Sequence, residues 1–494
     1  MELWQLICLG AYCAIVVVLG IYGLHRYQLL RLFQRHRDEA IAPAGRFATL
    51  PPITVQLPLY NEFHVAERLI GAVAQLDYPR DLLHVQVLDD STDETRQRAR
   101  QICSRLAGEG LDIDYLHRRE RSGFKAGALA AGLPSAKGEF VLILDADFVP
   151  PADLLHSVIH YFTDPQVGMV QTRWGHLNRE HSLLTRIQSI FLDGHFVVEH
   201  TARSRSGRFF NFNGTGGMWR KQAIVEAGGW QHDTLTEDLD LSYRAQIAGW
   251  RFVFLSHVEV PGEIPVEING FKSQQHRWTK GAVQVAKKLL PSIWRSDAAL
   301  KAKVEATFHL TANICYILML LMALLTVPVL GIRTHLGWER LLIIDLPLFS
   351  FATMAISGFY LTSQRVLYPD WKRQIKLLPM LMAVGMSLCI NNTRAVLEGI
   401  IGHETAFLRT PKYGVTHAVR APQQRIYSSR RTALALGELA MAAYFAFALY
   451  QAWHTGLYMG LPFLLLFHTG FLYTGSLSSM QQWLLHLRPV TTAP

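Results

Sequence analysis

Paired cysteines, nucleotide-binding glycine loops and charge are all scarce in this sequence. Its five cysteines (Cys8, Cys13, Cys103, Cys315 and Cys389) show no CxxC and no paired spacing. A disulfide framework is therefore excluded, and the thiols read as small buried hydrophobes. No GxGxxG follows the first strand-like run and no GxxxxGK[ST] occurs, so dinucleotide and P-loop binding lose support. Only 18% of the 494 residues are charged, against 50% hydrophobic. The net charge of +9 invites a nucleic-acid partner, but no nucleic-acid motif is present. The cations gather beside apolar runs, as in "RVLYPDWKRQIK" and "RAPQQRIYSSRR". A positive-inside bias and anionic membrane lipid explain them more economically.

The apolar excess lies at the two ends. Leu3 to Leu24 carries no charge and is long enough to cross a bilayer. Glu2 precedes it, and the basic cluster Arg26, Arg31, Arg35 and Arg37 follows it. That order predicts a retained anchor with its N-terminus outside and the rest cytoplasmic, not a cleaved signal. Further uncharged runs at Ala306–Ile332, Leu346–Gln364 and Leu439–Leu485, the last broken by "HTG", predict a multi-pass membrane protein. Polar residues in or near these runs (His309, Asn313, Asp345, Glu438 and His468) are candidates for lining a channel or facing headgroups.

Between about 45 and 265 the pattern changes. "ITVQLPLY", "HVQVLDD" and "FVLILDAD" are short β-rich runs ending in polar or acidic residues, with helical patterns between them. Alternation of this kind predicts an α/β unit with a parallel or mostly parallel sheet. Ligands bind such sheets beyond the carboxyl ends of the strands, where Asp89, Asp90, Asp145 and Asp147 fall. Asp145 and Asp147, alternating around Ala146, suit a hard cation that takes its remaining ligands from a diphosphate; alone, such a pair is more often a solvated strand end. Asp89 and Asp90 either face a nucleotide or start a turn. In "LTEDLDLSYRAQIAGW", Thr236, Glu237 and Asp238 open an amphipathic helix, with Asp238 either a cap or a general base.

Taken in order, "DDSTD", "RSGFKAGAL", "DAD", "TED" and "QQHRW" resemble the membrane-embedded family-2 glycosyltransferases of the cellulose synthase superfamily. QQHRW resembles the mannan-synthase-like branch and its bacterial relatives. The resemblance spans about 50 to 430 and implies a GT-A type nucleotide-sugar transferase domain with a mixed, mostly parallel sheet, inserted between transmembrane helices. It further implies a processive, inverting hexosyltransferase that makes a β-glucan or β-mannan type polymer and passes it across the membrane. A single-transfer glycolipid enzyme, similar to ceramide glucosyltransferases, is the alternative. A transporter or scaffold with a degenerate domain would lack the catalytic carboxylates, and all are present.

By that resemblance Asp89, Asp90 and Lys125 hold the donor, UDP-glucose or GDP-mannose. Asp145 and Asp147 bind Mg²⁺ or Mn²⁺ on its diphosphate. Asp238 is the base, with Glu237 and Thr236 around it, and Gly214 belongs to a glycine-rich acceptor loop. In QQHRW, Gln274 and Arg277 contact the donor and Trp278 stacks on the acceptor, a growing glycan or a lipid. "FLRTPKYG" is similar to the superfamily's FxVTxK gating loop at Phe407, Thr410 and Lys412, with Arg409 in place of the usual valine. A stripe of Phe271, Trp278, Val285 and Leu289, flanked by Lys272, Lys280, Lys287 and Lys288, predicts a helix lying in the membrane interface. The segment 181–198 predicts a second such helix or a buried core helix.

The expected division is a membrane anchor at 1–44, a transferase domain at 45–265, an interfacial region at 266–305 and a membrane region at 306–494. A gating loop needs the cytoplasm, where nucleotide sugars are. The segment 377–402 is therefore expected to be interfacial or re-entrant, giving five crossings of a bacterial inner membrane with the loop 403–416 on its cytoplasmic side. A cysteine placed at 412 is expected to react only with membrane-permeant thiol reagents in intact cells; labelling from outside would refute this topology.

Overall fold

The computed structural model describes residues 1–337, 342–403, 410–416 and 432–486. Seven strands form one sheet: β1 (Ile53–Leu59), β2 (Leu83–Asp89), β3 (Asp112–His117), β4 (Phe140–Ile143), β5 (Val167–His176), β6 (Gly217–Arg220) and β7 (Arg251–Gly262). Their order is β3-β2-β1-β4-β6-β5-β7. Every neighbouring pair is parallel except those made by β6, which runs against both β4 and β5. The expected runs at 53–60, 84–90 and 140–147 thus form three central strands. Both faces of the sheet are covered, which is why β4 is buried throughout. The helices Ala66–Ala74, Thr95–Gly108 and Leu154–Ile159 pack on one side, and Phe124–Gly132, Lys221–Glu226 and Glu237–Ile247 on the other.

This topology decides where chemistry can occur. Six strands point their carboxyl ends the same way, so the residues after β1, β2, β4, β5 and β7 converge on one edge. β6, reversed, starts at that edge, and Ile143 of β4 pairs with Gly217. The loop before β6 therefore lies beside the Asp145–Asp147 turn.

Among the described residues four helical stretches are long and apolar enough to cross a membrane: Leu3–His36, Leu300–His335, Ala433–His454 and Tyr458–Leu484. The helix Leu342–Leu367 lies between the second and third. Trp371–Ser387 and Cys389–Ile401 are bent by 40° at their junction, the geometry of a broken span or a re-entrant loop. The amino-terminal helix is tied to the rest of the protein by charge. His25 reaches Glu305 at 3.0 Å, Arg203 Nε donates to Glu305 at 2.9 Å, and Arg26 pairs with Glu199.

Two expectations change. The apolar stripe of the site helix Ile268–Arg295 is covered by protein. Val285 and Leu289 pack inside the protein against Leu239, Tyr243, Ala306 and Leu310. Phe271 packs against Leu184 and Leu381. Lys272 and Lys280, expected as polar neighbours at the surface, are fully buried. Residues 181–198 form the helix Leu183–Asp193 and then a π-helical stretch, Gly194–His200. Ile187 and Ile190 are buried among Leu378, Leu381 and Val384, so this is a core helix.

The last helix, Leu461–His486, meets the helix Leu378–Ser387 so closely that a Cβ on Gly470 would overlap the Ala383 carbonyl. Gly470→Val is expected to destabilise the membrane region by about 1–3 kcal/mol through overpacking. Gly10→Val, where nothing lies within 4 Å, is expected to be neutral. Thermal unfolding of the detergent-purified proteins compares them.

Candidate active site

A pocket of about 170 Å³ opens at the edge where the strand ends converge. Asp90, Lys125, Asp145, Asp147, Gly214, Thr236, Glu237, Asp238, Gln274, Arg277, Trp278, Thr410 and Lys412 all line it. Seven separate stretches, the first and last, at Asp90 and Lys412, 322 positions apart, are thus brought to one cavity. Phe407 and Arg409 lie outside the described residues.

The cations and carboxylates interlock. Lys125 Nζ donates to Asp145 Oδ1 at 2.5 Å and to the Gly214 carbonyl at 2.8 Å. Burial pulls the Lys125 ammonium down, but Asp145, Glu237 and Asp238 outweigh it and hold it above its ordinary range. Lys412 Nζ donates to Asp147 Oδ2 at 2.5 Å and to the Glu263 carbonyl at 2.6 Å. Gly214 has φ +81°, and a Cβ there would sit 3.1 Å from Asp238 Oδ2 and 3.3 Å from Lys125 Nζ. A side chain would therefore crowd both the Asp238 carboxylate and the Lys125 ammonium, and the left-handed conformation itself favours glycine.

Asp238 starts the helix Glu237–Ile247 and accepts the Leu239 N–H through Oδ1 at 2.8 Å. Of its two expected roles, cap and general base, the cap is not met, since Thr236 holds the N-cap position and no side chain caps the helix. Burial, then the Glu237 charge, pushes its pKa up to about 7, against the opposing pull of Lys125, Leu239 N–H and Arg277. A carboxyl poised there suits proton abstraction near neutral pH. Gly281 of the site helix allows this arrangement, because a Cβ on it would come within 2.5 Å of the Thr236 side chain.

Asp89 departs from its expected donor role. It is fully buried, Oδ1 accepts the Ser91 N–H at 2.9 Å, and Oδ2 accepts the Tyr115 hydroxyl at 2.5 Å. Its oxygens serve the turn after β2, not the pocket. Asp90 does line the pocket and is gripped in a fork by Arg118, Nε to Oδ1 at 2.8 Å and Nη2 to Oδ2 at 2.5 Å. Trp278, left between sugar platform and membrane anchor by the sequence, is in the pocket wall.

Sequence reasoning missed several lining residues. Glu263 follows β7 and accepts the Tyr413 N–H at 2.9 Å, docking the loop that carries Lys412. Burial raises its pKa against the pull of Lys412. Its place after a strand end was the available signal. Arg121 stacks over Tyr60, 3.4 Å from the ring centroid. His176, at the end of β5, is oriented by Asp193 at 2.9 Å.

A sequence profile described as glycosyltransferase like family 2 matches residues 51–281. Residues 51–281 form a family-2 glycosyltransferase domain. The transferase domain and its surroundings are 40% identical over 308 residues to "Probable glucomannan 4-beta-mannosyltransferase 6" of Oryza sativa subsp. japonica, covering 61% of this chain and 52% of that protein. They are 40% identical over 298 residues to "Glucomannan 4-beta-mannosyltransferase 2" of Arabidopsis thaliana, covering 59% and 55%. The chain thus spans about half the length of these relatives. Both are plant proteins and lend no support to the bacterial setting. The mannosyltransferase PcManGT from Pyrobaculum calidifontis, solved with GDP-Man and Mn2+, is 21% identical, with TM-score 0.56 over 79% of this chain and 99% of that one. The transferase domain shares its GT-A fold.

Among the described residues no three His, Cys, Asp or Glu side chains converge as a ready metal site. Asp145 and Asp147 nevertheless fit a cation that draws its other ligands from a diphosphate and water.

An Asp238 that serves as general base must be ionised to accept a proton, and in that role kcat/KM is expected to fall as pH drops through about 7 and to level off above it. Asp238→Asn is expected to lower transfer by about 10²–10⁴-fold while donor affinity, read by equilibrium binding, stays within about threefold. Loss of donor binding would make Asp238 a donor contact instead of the base.

Proposed function

We propose that this chain is a processive, inverting hexosyltransferase that extends a β-mannan or β-glucan type polymer from a nucleotide sugar, GDP-mannose before UDP-glucose. The observation that carries this reading is the convergence of Asp145, Asp147, Asp238, Lys125 and Arg277 on one pocket, in a chain 40% identical to named glucomannan mannosyltransferases. The names of those relatives and the GDP-Man held by PcManGT favour the mannosyl donor.

In this reading Asp90 and the Arg121–Tyr60 stack hold the nucleoside end. Asp238 takes the proton of an acceptor hydroxyl as its oxygen attacks the anomeric carbon from the face opposite the diphosphate, which inverts the centre. The bond to the diphosphate breaks, and Arg277, Lys125 and Lys412 stabilise the charge that develops there. Trp278 offers its ring to the acceptor sugar, and Gly214 leaves room for it. Mg²⁺ or Mn²⁺, held by Asp145 and Asp147, would supply further neutralisation of the leaving diphosphate.

We further propose that the transferase domain is cytoplasmic, that the N-terminus is outside, and that the 40° bent pair is re-entrant. A cavity of about 460 Å³ lies among the membrane helices, with Tyr12, Tyr22, His309, Asn313, Tyr316 and Tyr360 in its wall. It supports a path for the growing glycan. Glu438 and His468 do not line it. They are held instead by Lys272 and, at 2.9 Å, by the Ala442 carbonyl. The many apolar side chains of the same cavity, such as Met319, Leu330 and Leu464, favour a second reading, transfer of one sugar to a lipid.

Purified protein incubated with a panel of nucleotide sugars and Mg²⁺ or Mn²⁺ is expected to release GDP from GDP-mannose fastest and to yield a ladder of products. A single glycolipid product would select the second reading, and no nucleoside diphosphate from any donor would refute both.

A further inference from the structure

The site helix Ile268–Arg295 presents two stripes. Gln274, Arg277, Trp278 and Gly281 face the pocket and the Thr236 turn. Lys272, His276 and Lys280, spaced four residues apart, are buried on a face turned by about 150° from the first at 3.6 residues per turn. Each of these three meets a carboxylate from the membrane region. Lys272 Nζ lies 2.6 Å from Glu438 Oε2, with both side chains at 1% exposure or less, and 3.5 Å from the Thr474 carbonyl. His276 and Lys280 share Glu398 Oε2 at 3.2 and 3.4 Å, and Lys280 also donates to the His403 carbonyl at 2.5 Å.

Stability alone does not account for these contacts. Taking a lysine and a glutamate out of water costs about as much as their attraction returns, and apolar residues of similar volume often do as well or better. What such pairs add is specificity of register, since a helix that slides or turns leaves each charge buried and alone. The two rungs lie about 12 Å apart along the axis at 1.5 Å per residue, and they bracket Arg277 and Trp278. Neighbouring contacts fix the same end of the helix. Asn391 Nδ2 donates to the Lys272 carbonyl at 2.9 Å, Ser478 Oγ to Asn269 Oδ1 at 2.7 Å, and the Ile268 N–H to Gln481 Oε1 at 3.0 Å.

We propose that Lys272 with Glu438 and Lys280 with Glu398 are positioning pairs, anchored on the membrane helices, that set the rotation and height at which Arg277 and Trp278 enter the pocket. The proposal rests on the transferase reading above. Removal of a rung lets the helix settle into another register, and a displacement near 1 Å at reacting groups is enough to lose about 10²-fold in rate.

The test uses the full-length protein in detergent or nanodiscs, with GDP release for kcat and donor KM, and thermal unfolding as a measure of folding. Lys272→Met combined with Glu438→Leu removes the charges without leaving one unpaired. It is expected to keep a cooperative thermal unfolding transition while kcat falls at least tenfold. Glu398→Gln is expected to do the same at the second rung, and the conservative Lys272→Arg to keep at least half of wild-type kcat. A double variant that turns over within threefold of wild type overturns the proposal. So does loss of the cooperative unfolding transition in both disruptive variants, which would assign the pairs to folding alone. A wild-type protein that consumes no donor refutes the functional reading, an outcome distinct from unchanged kcat beside an active wild type.

Discussion

Asp145, Asp147, Glu237 and Asp238 are four of the carboxylates that share one small pocket, and they can do so because cations reach them from three other elements. Lys125 comes from the helix Phe124–Gly132, Lys412 from the loop docked on Glu263, and Arg277 from the site helix. Burial pulls the Arg277 guanidinium down, while all four carboxylates lift it. Without these partners the acids would repel one another in a site poorly screened by water. The same cations are the groups suited to receive a departing diphosphate, so the balance of charge in the pocket and its chemistry are one constraint.

That constraint fixes the larger architecture. Arg277 must arrive from beyond β7 and Lys412 from beyond the bent helix pair, so the pocket is complete only where the transferase domain and the membrane region meet. The reversed strand β6 does corresponding work within the sheet. By starting at the reactive edge, it delivers Gly214 where a side chain would crowd both Asp238 and Lys125.

The strands carrying Asp90 and Asp145 were legible in the sequence because a strand's period and its acidic end are local properties. The motif order was legible too, since each short run keeps its own chemistry. What local pattern could not carry was the identity of the covering surface. Val285 and Leu289 made an apolar stripe that fitted lipid as well as protein, and Lys272 looked like a headgroup contact because its partner, Glu438, lies 166 positions away. Asp89 looked like a second donor contact beside Asp90 because Tyr115, which satisfies it, belongs to β3. Glu263 was overlooked because it belongs to none of the recognised runs, although it ends a strand as the other acids do.

The π-helical stretch Gly194–His200 stands between the pocket, lined by Leu192 and Asn213, and the membrane cavity, lined by Phe191 and Glu199. Such a stretch holds one residue more than an α-helix needs over the same rise. Its length is therefore under a constraint separate from its composition. A one-residue deletion there leaves the flanking helices Leu183–Asp193 and Thr201–Arg205 nearly in register, but it re-aims the side chains of the stretch itself, among them Glu199, which Arg203 and His195 hold.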